Sequence, residues 1–261
     1  MTCLPTYEVY VIKYAERQTS GRNSFIFPDP HDGPLPMDYS VWLILGAGKR
    51  YLVDLGFDHR YAKWRNRDLL RTPGEGVTLA GIRPEDIDEI IVTHLHYDHS
   101  GALGEFPNAK IHLQEEEMAF ATGKFMKYKA FRYANYVEYI VDFVRALYDD
   151  RIAFANGDHV IAPGLSVHRV GGHTKGMQVV RVYTRSGWLV LASDAVHFLR
   201  NMEVPNPYPA VFHVGEMLEG FDRVRALADS PNLVIPGHDP IVLDRFPALS
   251  DELTGIIHRL D

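Results

Sequence analysis

A chain of 261 residues, 46% hydrophobic and 23% charged, carries enough apolar side chains to bury a full core, and we read residues 1–261 as one α/β domain. Its formal net charge of −7, without a block of lysines and arginines, argues against an electrostatic grip on nucleic acid or on an anionic membrane surface and favours small neutral substrates. The single cysteine, Cys3, excludes an internal disulfide and a thiolate-rich cluster, so any metal must be held by nitrogen and oxygen.

The opening stretch MTCLPTYEVYVIKYAERQ alternates polar and apolar residues and predicts a first strand rather than a secretion signal. No run of about 18 apolar residues follows, so a membrane span is not expected and the expected location is cytoplasmic. FPDPHDGPLP, Phe27 to Pro36, is a loop. The apolar runs YSVWLIL and KRYLVDLGF around GAGK predict a β-hairpin with a glycine turn. From Arg83, a proline at an early helical position and then acidic residues precede the strand EIIVT. Glu115 to Asp150 predicts helix broken near Gly123, with Tyr136, Ile140, Phe143 and Leu147 on one face. Aromatic and methionine residues of this segment, Met118, Phe120, Phe125, Met126, Tyr128, Phe131, Tyr133 and Tyr136, are expected mostly in the core. DHVIAPGLSVHRV, GMQVVRVYT, GWLVLASD and NLVIPGHD read as strands, with a helix from Val214 to Ala228 between the last two. Strands followed by helices, twice over, suggest two sheets packed face to face with helices outside.

Directly after the apolar run IDEIIV, the stretch THLHYDHSGAL holds three histidines and an aspartate in six consecutive positions. In an extended segment residues two apart share a side, so His94 and His96 can chelate one ion. Asp98 and His99 diverge from that pair and suit a second ion nearby. Three later strand ends each add a ligand: His173 in VGGHTKG, Asp194 in LASDAVHF and His238 in VIPGHDP. A carboxylate such as Asp194 can bridge two cations, one on each oxygen. The expected centre therefore binds two divalent metal ions. His31, His59, His112, His159, His168, His213 and His258 lack partners at ligand spacing and are taken as structural.

The ordered motifs HLHYDH, GGHT, SDAV and PGHD resemble the metallo-β-lactamase superfamily over nearly the whole chain, and IRPEDIDEIIVTHLHYDHSGALGEFPNAKIHLQEEE is similar to its N-acyl homoserine lactone lactonases, the quorum-quenching branch. The resemblance implies a four-layer αβ/βα sandwich. It implies His94, His96 and His173 on one zinc, Asp98, His99 and His238 on another, and Asp194 between them. Asp54 in LVDLG matches an aspartate that supports these ligands. The chain departs from the family pattern at Gly171, Lys175 and Met177 around the third histidine, and at His197, where well-known lactone lactonases carry a tyrosine.

The chemistry so implied is lactone hydrolysis by a metal-bridging hydroxide, because two cations bring the pKa of water from about 15.7 toward roughly 7. Asp98 is expected to pass the proton to the leaving alkoxide. His197 is expected to hydrogen-bond the carbonyl oxygen, with a pH sensitivity that follows from a reference pKa of about 6.5. Competing readings are another lactone, as in a pyridoxolactonase-like enzyme, or a glyoxalase II-type thioesterase. Against the thioesterase, only 23 residues follow His238. A β-lactamase would place a cysteine at Asp194, and a persulfide dioxygenase would hold a single iron. The expected partner is a small-molecule lactone; the loop from Ser20 to Pro36 is read as an ordinary surface loop, with packing on the second subunit of a homodimer as the alternative.

Overall fold

The computed structural model describes residues 4–261; Met1 to Cys3, and with them the lone thiol, lie outside the described residues. Thirteen strands form two sheets. The first contains β1 (Glu8–Arg17), β2 (Met37–Gly46), β3 (Lys49–Val53), the short β4 (Asp68–Leu69), β5 (Glu89–Ile91), β6 (Lys110–Gln114) and β7 (Ile152–Ala155). The second contains β8 (His159–Ala162), β9 (Leu165–Arg169), β10 (Gln178–Thr184), β11 (Gly187–Ser193) and β12 (Val234–Pro236); β13 (Ile257–Arg259) returns to pair with β1. Strand order is β13-β1-β2-β3-β5-β6-β7, with β4 also on β1, against β12-β11-β10-β9-β8.

The two-residue period of the strands builds the layers. On β1, Val9 and Val11 face the second sheet, where they join Trp42, Val53, Val180 and Leu191 in the core between the sheets. Tyr10, Ile12 and Tyr14 face the other way, toward α1 (His59–Arg65), α2 (Pro73–Leu79) and the later helices α3 (Glu115–Ala121) and α5 (Val137–Tyr148), with α4 (Lys129–Arg132) between these last two in the chain. The outer face of the second sheet is covered by α6 (Leu199–Glu203) and by Met217, Phe221 and Val224 of α7 (Val214–Leu227), with α8 (Ile241–Arg245) following β12. Three buried clusters between four layers give the αβ/βα sandwich. None of the described helices is long and apolar enough to cross a membrane.

The predicted hairpin forms as β2 and β3, turned by Ala47 and Gly48, both with positive φ (51° and 74°). Other expectations are corrected. DHVIAPGLSVHRV is not one strand but the hairpin β8–β9, because Gly164 at φ 84° turns the chain. The helix expected after Arg83 is a single 3-10 turn, Pro84–Asp86. The segment from Glu115 is interrupted again after Gly123, by a 3-10 turn at Lys124–Lys127 and by Tyr133 to Tyr136 between α4 and α5. Consequently Met118 and Phe120 are buried as core, whereas Tyr128 and Tyr133 are exposed and Phe125, Met126, Phe131 and Tyr136 lie half-buried. Short helical pieces cannot keep one face on the sheet for the whole segment. On α5 the face does hold: Tyr139, Ile140, Phe143 and Ala146 are buried.

Strands β3, β5, β6 and β7 are parallel, as are β11 and β12. Their carboxyl ends therefore gather at one edge, where open α/β sheets present ligand-binding loops.

Candidate metal centre

Every residue of the centre leaves the carboxyl end of a strand. Asp54 follows β3, the segment His94 to His99 follows β5, His173 lies between β9 and β10, Asp194 follows β11 and His238 follows β12. β5 ends at Ile91, so His94 and His96 stand on a loop rather than in the extended run assumed from sequence. All seven candidate ligands are buried.

The loop is held open by polar anchors. Asp54, in the left-handed region at φ 64°, accepts from the Thr93 backbone N–H (2.7 Å), the Thr93 hydroxyl (2.8 Å) and His99 Nδ1 (2.7 Å). Such a conformation costs a non-glycine residue on the order of 1–3 kcal/mol and persists only where surrounding bonds enforce it. Ser193, at φ 45°, adds its hydroxyl to the Thr93 hydroxyl at 3.1 Å. Gly237 lets the His238 loop lie against this segment; a Cβ there would sit 2.7 Å from the Ser193 carbonyl carbon. Tyr14, at the irregularity in the β1–β2 register, donates its hydroxyl to the Asp98 carbonyl at 2.9 Å.

These contacts also choose the tautomers. The Thr93 hydroxyl spends its proton on Asp54 and receives His94 Nδ1–H at 3.1 Å; Asp54 receives His99 Nδ1–H; and the Asp38 carbonyl receives His238 Nδ1–H at 2.8 Å. In the neutral rings that a metal requires, Nε2 of all three is then the lone pair, and it is aimed inward.

Asp194 stands between two groups. Its Oδ2 faces His173 Nε2 at 3.1 Å and His94 Nε2 at 3.8 Å, whereas Oδ1 faces His238 Nε2 at 2.9 Å and His99 Nε2 at 3.1 Å. His94, His96, His173 and Asp194 form one set whose ligand atoms lie within 4.8 Å of one another, and Asp98, His99 and His238 form a second. The donor set passes a chemical test for cations. Nε2 of His94 and of His99 is buried without a hydrogen-bond partner, and His96 Nδ1 and His173 Nε2 face each other at 2.9 Å. Buried polar atoms are rarely orphaned, and inward lone pairs are what a metal ion satisfies. The sequence-assigned ligands are thus brought together as two sets that share Asp194.

Electrostatics follow the same partition. Burial and the neighbouring imidazoles hold His94 and His96 well below the usual histidine range. Burial also pulls on His99, but Asp194, Asp54 and Asp98 outweigh it and raise it well above that range. His238 is raised as well, burial being outweighed by Asp194 and Asp98. Burial would raise Asp194, yet His197, His238, His99 and His173 hold it far below a normal carboxylate. Burial dominates at Asp98 and raises it.

His197 lies inside the centre, but with its Nε2 turned to Asp194 Oδ2 at 3.0 Å and its ring stacked on Tyr208 (centroids 3.8 Å, planes 6° apart). Burial lowers its pKa to about 3, below the ordinary imidazole value on which the expected pH sensitivity was based. Three residues escaped the sequence reading. Tyr208 lines the small cleft over the centre, a cavity of about 80 Å³. Glu117 of α3, fully buried, accepts from Leu95 N (2.9 Å), Thr174 Oγ1 (2.7 Å) and Gly176 N (2.9 Å), and so joins the His94 and His173 loops. Gln178 joins the two sheets, donating to the Val92 carbonyl at 2.7 Å and accepting from Gln114 at 2.8 Å. A glutamate in EEE or a tyrosine in a proline-rich loop carries no motif, and the only available signal was the apolar flank Met118–Phe120 around which α3 had to bury a face.

Four of the histidines taken as structural make local contacts away from the centre. His112 pairs with Glu89 at 2.6 Å, His168 with Asp158 at 3.0 Å, His213 caps α7 at Glu216 N, and His258 Nδ1 meets the Phe246 carbonyl at 2.6 Å. His31, His59 and His159 are exposed.

An αβ/βα sandwich with paired His/Asp metal sites at the strand ends defines a metallohydrolase class, and residues 35–238 match the Metallo-beta-lactamase superfamily model: the chain belongs to that superfamily. Among curated relatives, an N-acyl homoserine lactonase of Bacillus cereus is 31% identical over 165 residues, 62% of this chain and 56% of the relative. The N-acyl homoserine lactonase AiiB of Agrobacterium fabrum is 30% identical over 177 residues, 61% of this chain and 59% of the relative. The chain thus aligns with little more than half the length of these relatives. Among solved structures, a quorum-quenching N-acyl homoserine lactone lactonase superposes with a TM-score of 0.73 at 22% identity, covering 92% of this chain and 94% of the other. AidC, a dizinc quorum-quenching lactonase in complex with a product, superposes with a TM-score of 0.70 at 17% identity, covering 91% and 89%. At these identities the structural likeness establishes the fold.

Proposed function

We propose that this chain is a two-metal hydrolase that opens lactone rings, with N-acyl homoserine lactones as the first substrate class and zinc as the metal. The observation that carries the reading is Asp194, whose two oxygens face two separate imidazole groups. His94, His96, His173 and Asp194 Oδ2 would hold one cation, and Asp98, His99, His238 and Asp194 Oδ1 the other. Two such cations, when bound, supply Lewis-acid polarisation of an ester carbonyl and acidify water enough for attack near neutral pH. The relatives named N-acyl homoserine lactonase support the substrate class.

The chain's own residues supply the proton traffic. Asp98, whose carboxyl is raised by burial, takes the proton that the attacking water loses. It returns that proton to the ring oxygen as the carbonyl carbon–oxygen bond breaks, so that water plus lactone gives a hydroxy acid. His197 steadies the bridging carboxylate through Nε2 and offers its ring face to Tyr208. Tyr208 keeps its proton because burial raises the phenol. We therefore assign the donor to the ring carbonyl to Tyr208, with His197 as a positioning residue.

The test is metal quantification of the purified protein, then a pH-stat screen of homoserine lactones of several chain lengths beside other lactones and S-lactoylglutathione. Two divalent ions per chain and ring opening are expected. Full metal loading without lactone turnover would sink the proposal, and turnover of S-lactoylglutathione instead would install the thioesterase reading.

A further inference from the structure

The cleft over the metal ligands is also lined by three arginines, Arg17, Arg65 and Arg67. The chain as a whole is acidic, with a formal charge of −7, so this local excess of cations runs against the composition. Among the described residues the acidic groups that elsewhere pair with guanidinium are absent here: none of the three forms an ion pair, whereas Arg83, Arg169, Arg200, Arg223 and Arg259 each do. Arg65 is placed by stacking, its guanidinium 4.5 Å from the Trp64 ring centroid, and by donating to the Tyr133 carbonyl. Arg67 lies among the phenols of Tyr97, Tyr39 and Tyr61, and its Nε is buried without a hydrogen-bond partner. The carboxylates within the cleft, Asp98 and Asp194, face imidazoles and not the arginines.

A buried guanidinium nitrogen without an acceptor is costly, and charged donors fixed on a wall gain most from a planar anion that they can grip in pairs. A neutral acyl chain offers them nothing. We propose that the substrate of this centre carries, besides its reacting lactone, a second anionic group of the carboxylate class that is bound by Arg17, Arg65 and Arg67. The inference rests on the lactonase reading for the reacting bond and departs from the small neutral substrate expected from composition.

Two lactones that differ only at the far end test it: N-hexanoyl homoserine lactone and the analogue whose six-carbon acyl chain ends in a carboxylate. The metal-loaded enzyme is expected to prefer the carboxylated lactone by about tenfold or more in kcat/KM, chiefly through KM. Arg17→Gln and Arg67→Gln should each lower kcat/KM for the carboxylated lactone several-fold more than for the neutral one, and a misfolded variant would lose both in parallel. A second readout is binding of adipate by calorimetry to wild type and to the Arg17→Gln/Arg67→Gln double variant, with weaker binding expected in the variant. Equal kcat/KM for the two lactones, unaltered in ratio by the variants, overturns the arginine site and leaves the lactonase standing. If neither lactone is opened the lactonase reading falls, and adipate binding that does not depend on the arginines then overturns this inference as well.

Discussion

At the scale of single residues, Asp54 decides how the centre presents itself. It makes no contact with the substrate cleft, yet it fixes Thr93 and the His99 tautomer. Asp54→Asn keeps the volume but replaces one acceptor with an amide donor facing His99 Nδ1–H. We expect metal affinity to fall about 10- to 100-fold with the fold retained, as for other groups that orient metal ligands; titration against a competing chelator, with circular dichroism as the control, measures it. If Tyr208 is the donor, Tyr208→Phe should lower kcat by roughly 100- to 1000-fold with little change in metal content, the range seen for loss of a donor to a developing oxyanion. Unchanged kcat would return that role to another group. The seven candidate ligands stand out in sequence because imidazoles and carboxylates at strand ends have few other uses. Tyr208 and the arginines were not, since each reaches the cleft through loop geometry that no periodicity records.

At the scale of elements, α3 acts as a peg. Through Glu117 it takes three donors from two loops, and Gly176 comes so close that a Cβ there would meet the Glu117 backbone nitrogen at 2.2 Å. Glu117→Ala strands those three donors in the interior. The expected loss is about 3 kcal/mol, a Tm drop of roughly 10 °C, with weaker metal binding by the His173 loop; differential scanning calorimetry with and without metal separates the two effects. The strands were readable from alternation, and the β2–β3 hairpin from its turn. The helical stretch from Glu115 was read too long because its aromatic spacing matched a helix, while Gly123 and the Tyr128 and Tyr136 junctions, which break it, carry only weak local signals. Its exposed aromatics follow from those breaks.

At the scale of the molecule, the first sheet carries a buried pair with a pH consequence. Burial would raise Glu89, but Lys49 and His112 hold it below the usual glutamate range; burial holds His112 below the usual histidine range. The signs agree. A depressed carboxylate contributes stability above its unfolded pKa, lost as pH falls through the folded value, and a depressed histidine resists the proton that the unfolded chain accepts below about 6.5. Tm should therefore fall on acidification from pH 6.5 toward 4, and Glu89→Gln together with His112→Asn should flatten that slope; an unaltered slope would count against this pair as the acid-sensitive element. Metal uptake has its own proton balance, since the surrounding carboxylates raise His99 and His238. Loading should release protons, detectable as a buffer-dependent heat in calorimetry.

The two metal-ligand sets draw on both sheets: His94 to His99 hang from the first, and His173, Asp194 and His238 from the second. Ions held there would therefore act as rivets across an edge that otherwise depends on a few polar ties such as Gln178. Stripping the ions should do more than silence a reaction. It should let the two halves of the sandwich part at that edge first, so that limited proteolysis of the chelated protein would cut in the His173 and Tyr208 loops long before the strands at the opposite margin yield. Storage life and handling of this protein would then both follow the supply of a divalent cation.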